Sequence, residues 1–235
     1  RYENSDTNQK IRTFFYYSKT GGILRAAERC NGSADCRKSE LAGGTMCPSY
    51  MATRNEKDVT RARANVLREF LIHSDKENPF DHHEIYEVME LCLSCKACKS
   101  ECPSGVDVAK LKAEFLQHYY DANGIPLRTK IIANFTRLMS LGAYFPSLTN
   151  FITHSKLTSN FFKTITGFSP KRNIPLLSKM SLKRWMKHYT SNLNKNNLQR
   201  GKLYLFNDEF TNFNDTDVGI KCIQLLTKLG YQVTL

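Results

Sequence analysis

Apolar residues recur along this chain at helical spacing, in short stripes separated by glycine, proline and cysteine, and this pattern predicts a mainly α-helical protein. Residues 1–20 are polar apart from Phe14-Phe15-Tyr16-Tyr17. After Gly21-Gly22 the pattern predicts a short helix over 23–27, and a glycine-containing loop over 41–45 leads to Cys47-Pro48. The strongest helical signal covers 56–73. Val59, Ala62, Val66, Leu67, Phe70 and Leu71 mark its apolar face, and Arg61, Arg63 and Arg68 are its basic residues. Asn78-Pro79 breaks it, and a further helix is expected over 83–91. Pro103-Ser104-Gly105 reads as a turn. Asp107 can cap the next helix, whose stripe is Val108, Leu111, Phe115, Leu116 and Tyr119 and which ends at Asn123-Gly124.

Beyond that point the periodicity predicts helical stretches over 127–141, 147–154, 157–166 and 175–189, with Gly142, Pro146, Gly167, Pro170 and Pro175 as punctuation. Residues 191–197 read as a polar linker. From 201 onward the pattern changes. A buried-type strand over 202–206 is followed by a helix from Asp215 or Asp217, with Val218, Cys222, Leu225, Leu226 and Leu229 on one face. Gly230 ends this helix, and a second strand begins at Tyr231. This is a β-α-β unit.

With 235 residues, 41% of them hydrophobic and 24% charged, the composition is that of a globular protein, and no apolar run reaches the ~18 residues of a membrane span. The net charge of +12 is concentrated in one region. Residues 122–207 contain no Asp or Glu and fourteen Lys and Arg, leaving 20 basic and 22 acidic residues elsewhere. The chain opens on Arg1 with no signal peptide or initiator methionine, so it reads as part of a longer protein.

Seven of the eight cysteines fall between residues 30 and 102 in closely spaced groups. Without a targeting signal, such groups read as metal ligands in a reducing, cytoplasmic compartment rather than as disulfides. The run Cys92-x2-Cys95-x2-Cys98-x3-Cys102-Pro103 has the C-x2-C-x2-C-x3-C-P spacing of bacterial-type ferredoxins. Three thiolates two residues apart wrap one face of a cubane, and the fourth points to a neighbouring cluster. Zinc sites more often present C-x2-C pairs separated by a longer loop, so a structural zinc module is the competing reading.

Upstream, Cys30, Cys36 and Cys47-Pro48 fit the same template with Ser33 in the second cysteine's place. Exchanging the fourth ligands gives a complete site of Cys92, Cys95, Cys98 and Cys47, and an incomplete one of Cys30, Cys36 and Cys102. The first is expected to hold a 4Fe–4S cluster. The second could hold a 4Fe–4S or 3Fe–4S cluster, or none. Lys96, Lys99, Arg61 and Arg63 could tune these centres, although each singly reads as a solvated surface residue. Cys222 sits at an apolar helical position and reads as core. His73, His82, His83 and His118 read as surface or capping residues.

Two such motifs joined by about 45 helical residues resemble the α-helical ferredoxin domain found in the iron–sulfur subunits of succinate dehydrogenase and of anaerobic glycerol-3-phosphate dehydrogenase. The segments 44–54, 60–68 and 91–104 (GTMCPSYMATR, TRARANVLR and LCLSCKACKSECPS) are similar to the iron–sulfur part of bacterial FAD-linked D-2-hydroxy-acid dehydrogenases, of the D-lactate and D-2-hydroxyglutarate type. The resemblance implies a ferredoxin-type domain over 21–125 after an N-terminal segment 1–20. A basic helical segment then spans 126–200, and 201–235 begin an α/β cysteine-rich domain whose paired cysteines lie beyond this chain. It also implies a one-electron relay from reduced FAD, on a missing flavin domain or subunit, to an acceptor such as a quinone, with no substrate-oxidising residue in this chain. For the basic segment the alternatives are docking onto an acidic partner domain, a peripheral contact of 122–207 with the cytoplasmic membrane face, and nucleic-acid binding. Its aromatics could stack bases, but at helical spacing they read as core or interface.

Overall fold

The computed structural model describes residues 11–191 and 200–235; residues 1–10 and the linker positions 192–197 expected above lie outside the described residues. The chain forms two compact units, Arg1–Ile125 and Pro126–Leu235.

The first unit is helical. α1 (Ile23–Glu28), α2 (Pro48–Thr53), α3 (Thr60–His73), α4 (His83–Glu90), α5 (Ala97–Glu101) and α6 (Val108–Asn123) enclose one core. The long signal over 56–73 resolves into a 3-10 turn at Glu56–Asp58 and a helix that starts only at Thr60. The Asn55 side chain accepts from the Lys57 N–H, and Val59 is extended, so the chain is redirected before α3 begins. That redirection rotates the buried stripe onto Thr60, Arg63, Ala64, Leu67 and Leu71, leaving Val66 and Phe70 half-buried. α6 follows its sequence pattern. Asp107 Oδ1 accepts from the Lys110 N–H at 3.1 Å, and Val108, Leu111 and Phe115 are buried.

Segment 11–17 belongs to this core because Glu114 holds it there. Glu114 is fully buried (0% exposed) and accepts the N–H groups of Phe14 at 2.7 Å and Phe15 at 2.9 Å, with His118 Nε2 at 3.1 Å. His118 is not the surface residue that its position suggests: it stacks on Phe80 at 4.4 Å and lies 5.3 Å from the Phe14 ring.

The second unit opens with α7 (Leu127–Ala133), α8 (Phe135–Gly142), α9 (Pro146–His154) and α10 (Lys156–Thr166). The single helix expected over 127–141 is split at Asn134, whose side-chain amide donates to the Lys130 carbonyl at 2.9 Å. α11 is Leu182–Ser191, seven residues later than expected. The backbone before it is engaged elsewhere. Leu177 N–H and C=O both bond the Asn150 side chain at 2.8 Å, and Ser178 N–H donates to Phe213 O at 2.7 Å.

β1 (Lys202–Tyr204) and β2 (Gln232–Thr234) pair in parallel, with α12 (Glu209–Phe213) and α13 (Thr216–Lys228) between them. This is the expected β-α-β unit with one extra short helix. The face of α13 is corrected, however. Ile223, Gly219 and Thr216 are buried, while Val218, Leu225 and Leu229 are exposed and Cys222 is only half-buried. Leu182 lies so close to Gly219 that a Cβ there would come within 2.4 Å of its Cδ2, so α13 meets α11 through its glycine, with Leu226 half-buried against the same cluster.

Along α7 to α10 large apolar side chains, among them Leu138, Leu141, Phe145, Phe151, Leu157 and Phe161, are exposed, as are the cations Arg128, Lys130, Arg137 and Lys156. Among the described residues no helix is long and apolar enough to cross a membrane.

Candidate metal centre

The cysteine run folds as a loop followed by α5. Ser94 and Lys96 adopt left-handed backbone conformations (φ 54° and 63°), which turn the chain around the thiols before the helix starts. Cys95 is exposed at this turn, Cys98 is buried in the first turn of α5, and Cys102 follows its last residue. The turn is closed by Gly105 N–H to Cys102 O at 2.8 Å. Cys47 reaches the same place from the other motif, immediately before α2.

Cys47, Cys92, Cys95 and Cys98 line one cavity, together with Arg63, Ser49, Thr60 and Val108. Among the described residues no three His, Cys, Asp or Glu side chains gather closely enough for a single metal ion. The thiols instead share the wall of a common opening.

Cys98 and Cys47, the two buried sulfurs of this cavity, meet different surroundings. Burial raises the Cys98 thiol; the N–H groups of Val108 and Ala109, at the start of α6, oppose this, and Asp107 and Cys92 add to it. For Cys47 burial also acts to raise the thiol. Here the Ser49 hydroxyl, the Arg63 charge, the Tyr50 N–H and the Thr60 hydroxyl outweigh it, and the thiol falls below its ordinary value. A buried sulfur that gives up its proton more readily than an ordinary thiol suits a thiolate ligand.

Arg63 is the centre of that arrangement. Its side chain is 1% exposed; Nη1 donates to Cys47 Sγ at 3.3 Å, Nη2 to Ser49 Oγ at 2.9 Å and Nε to Val88 O at 2.9 Å. The nearest carboxylate oxygen, Asp58 Oδ1, is 4.0 Å away and, among the described residues, makes no hydrogen bond. On the other side, Lys112 Nζ donates to Cys92 O at 2.7 Å and Glu90 O at 3.3 Å; burial depresses its pKa, with Cys92 opposing and Arg63 adding. Four thiols backed by one buried and one half-buried cation form a donor set suited to a sulfur-rich anion.

The remaining cysteines are placed as follows. Cys36 is buried in the 3-10 turn Asp35–Arg37, and Cys30 lies just after α1, half-buried. Burial raises the Cys36 thiol; the N–H groups of Arg61 and Cys36 oppose this, and Cys47 and Cys30 add to it. Cys30, Cys92 and Cys102 all pack against the buried cluster that contains Cys36, Cys47 and Cys98. Ser33 is exposed, its N–H bonded to the Asn31 side chain.

Of the four cations singled out from sequence, only Arg63 is buried at the thiols. Lys96 and Lys99 are exposed and lie 3.4 Å and 3.7 Å from Asp107, and Arg61 pairs with Glu56 at 2.9 Å. Periodicity and spacing point to none of Ser49, Asp58, Lys112 and Glu101. Glu101, inside the C-x3-C spacing, joins the two motifs: it accepts from the N–H groups of Thr45 and Met46 and from the Thr45 hydroxyl at 2.6–3.1 Å. The one signal that could have found it is an acidic residue within the cysteine run, set against the glycine loop Gly43-Gly44 that leads into the donors Thr45 and Met46.

Known proteins are similar to this chain in sequence. A family described as "4Fe-4S dicluster domain" matches residues 29–107. The chain is 30% identical over 253 aligned positions to a D-2-hydroxyglutarate dehydrogenase of Pantoea ananatis, and 28% identical to that of Escherichia coli. A third relative, from Haemophilus influenzae, is 26% identical. Each match takes in 90% of this chain but only 24% of the relative, so the chain spans about a quarter of the length of these proteins. No solved structure matches. Residues 29–107 thus match a ferredoxin-like 4Fe–4S domain family, in a chain similar along nearly all its length to one quarter of the D-2-hydroxyglutarate dehydrogenases.

Proposed function

We propose that this chain is the iron–sulfur electron-transfer part of a flavin-linked D-2-hydroxy-acid dehydrogenase, with Cys47, Cys92, Cys95 and Cys98 holding a 4Fe–4S cluster. The observation that carries the reading is the convergence of these four thiols on one cavity from two motifs about 45 residues apart in sequence, with a buried guanidinium aimed at one of them. Cys30, Cys36 and Cys102 are proposed to hold a second centre, with three iron atoms or four according to whether Ser33 or another group completes it.

A bound cluster supplies one-electron chemistry: it takes up single electrons, as from a reduced flavin, and gives them up singly. The chain's own residues fix where that happens. Glu101 ties the loop before Cys47 to α5, so both motifs keep one geometry. Arg63 and Ser49 hold the Cys47 sulfur in place. Cys95 lies at the surface and marks the edge where a donor or acceptor can approach most closely. Substrate oxidation would take place on a flavin part, with D-2-hydroxyglutarate the first substrate to try, given the relatives' name.

Protein isolated without oxygen should be brown and contain iron and acid-labile sulfide. Dithionite should bring up the electron paramagnetic resonance of a reduced 4Fe–4S cluster, and a signal already present in the oxidised protein would identify a 3Fe–4S second centre. Zinc in place of iron, with no signal after reduction, would refute the reading.

The exposed apolar and basic face of α7 to α10 supports a further part of it. We infer that this face docks on an acidic surface of the flavin part. Contact with an anionic membrane is the competing account, since each cation near such a surface contributes about 1 kcal/mol. Flotation with phosphatidylserine vesicles at physiological salt discriminates: protein that stays at the bottom supports docking, and protein that floats supports the membrane.

A further inference from the structure

Burying a guanidinium costs several kcal/mol unless anions answer it, and Arg63 has two such neighbours, the Asp58 carboxylate at 4.0 Å and the Cys47 sulfur at 3.3 Å. The three hydrogen bonds given above go to a carbonyl, a hydroxyl and the Cys47 sulfur. Among the described residues no carboxylate stands within hydrogen-bond distance: Asp58 Oδ2 accepts from the Thr53 hydroxyl at 2.7 Å, and its Oδ1, which faces the guanidinium, stays at 4.0 Å. Of the three acceptors that Arg63 touches, the ionisable one is therefore a thiol of the complete site. A neutral thiol accepts weakly, whereas a ligating thiolate carries part of a cluster's negative charge. The match is closest when a further electron has been added.

We propose that Arg63 is a positioning residue that sets the reduction potential of the centre at Cys47, raising it against the opposing field of Asp58. The proposal rests on the ligand reading above. Hydrogen bonds to cluster sulfurs and nearby positive charge stabilise the reduced, more negative form. Lys112, bonded to the Cys92 carbonyl, adds charge of the same sign from the other side. The exposed Lys96 and Lys99 add less, because solvent and their pairing with Asp107 screen them. The pair Arg63 and Asp58 is thus an internal bias with one arm of each sign, both buried, the first bonded to Cys47 Sγ and the second touching it through its backbone carbonyl at 3.3 Å.

The two arms make the test. The potential of the reduced-cluster resonance is titrated in the whole chain, loaded with its iron, and the resonance belonging to this centre is the one that Cys95→Ser abolishes. Arg63→Gln should lower the potential, changing the oxidised-to-reduced ratio at a fixed ambient potential on the order of tenfold, about 59 mV for one electron. Arg63→Lys should fall between Gln and native. Asp58→Asn should raise the potential. Damage to packing cannot shift the potential upward in one variant and downward in the other in this ordered way. An iron-loaded Arg63→Gln with native potential overturns the proposal, and so does an Asp58→Asn whose potential is unchanged or lower; should Arg63→Gln refuse iron, Asp58→Asn alone decides. If instead native protein holds no cluster, or Cys95→Ser keeps every signal, it is the ligand assignment that fails.

Discussion

Cys95→Ser should strip the complete centre from the protein while leaving the fold standing. Cys95 is the exposed member of the four thiols around the cavity, so its replacement removes one ligand without opening a hole in the core. Serine keeps the size of the side chain but not the soft, easily ionised sulfur that iron–sulfur clusters select. The expected result after anaerobic isolation is loss of the reduced 4Fe–4S resonance and a fall in iron and sulfide by the content of one cluster, with the helical circular dichroism retained. Cys222→Ser serves as the control. It lies half-buried on α13, in the other unit, and should leave iron content and both spectra unchanged.

Phe115→Ala should cost the first unit about 3–5 kcal/mol, the usual loss for deleting a large aromatic from a packed core. Phe115 is 0% exposed on the inner face of α6, and its ring lies 5.4 Å from that of Tyr119. Alanine would leave a cavity beside Leu111 and Val108, the residues through which α6 faces the core. Domains of this kind have about 5–15 kcal/mol of total stability, so the variant without its cluster should begin to unfold at much lower urea. A ligand that binds only the folded state adds to stability, so iron-loaded Phe115→Ala should recover part of the loss. Urea titrations followed by circular dichroism, with and without iron, measure both quantities. A shift below about 1 kcal/mol in the apo protein would show that α6 does not pack as described.

The features legible in the sequence were those governed by local rules. The spacing of Cys92, Cys95 and Cys98 needs only a tight loop, and left-handed Ser94 and Lys96 supply it. Asp107 caps α6 because the cap is a contact three residues long. The β-α-β order of the last segment follows from a change of period. What failed was decided by distant partners. Periodicity assigns a charged residue such as Arg63 to a wet face, and only the approach of Cys47, Ser49 and Asp58 brings it inside. The outward face of α13 looks apolar enough to be core, yet Leu182 and Thr211 crowd Gly219 and set the rotation. The delayed start of α11 depends on Asn150, twenty-seven residues before Leu177.

Iron is expected in the cavity that Cys47, Cys92, Cys95 and Cys98 line. Crystals grown without oxygen and measured on both sides of the iron absorption edge test it directly. A strong anomalous iron peak should appear inside the cavity bordered by those four cysteines and by Arg63. A peak that appears only at the zinc edge, or an iron peak away from that cavity, would contradict it.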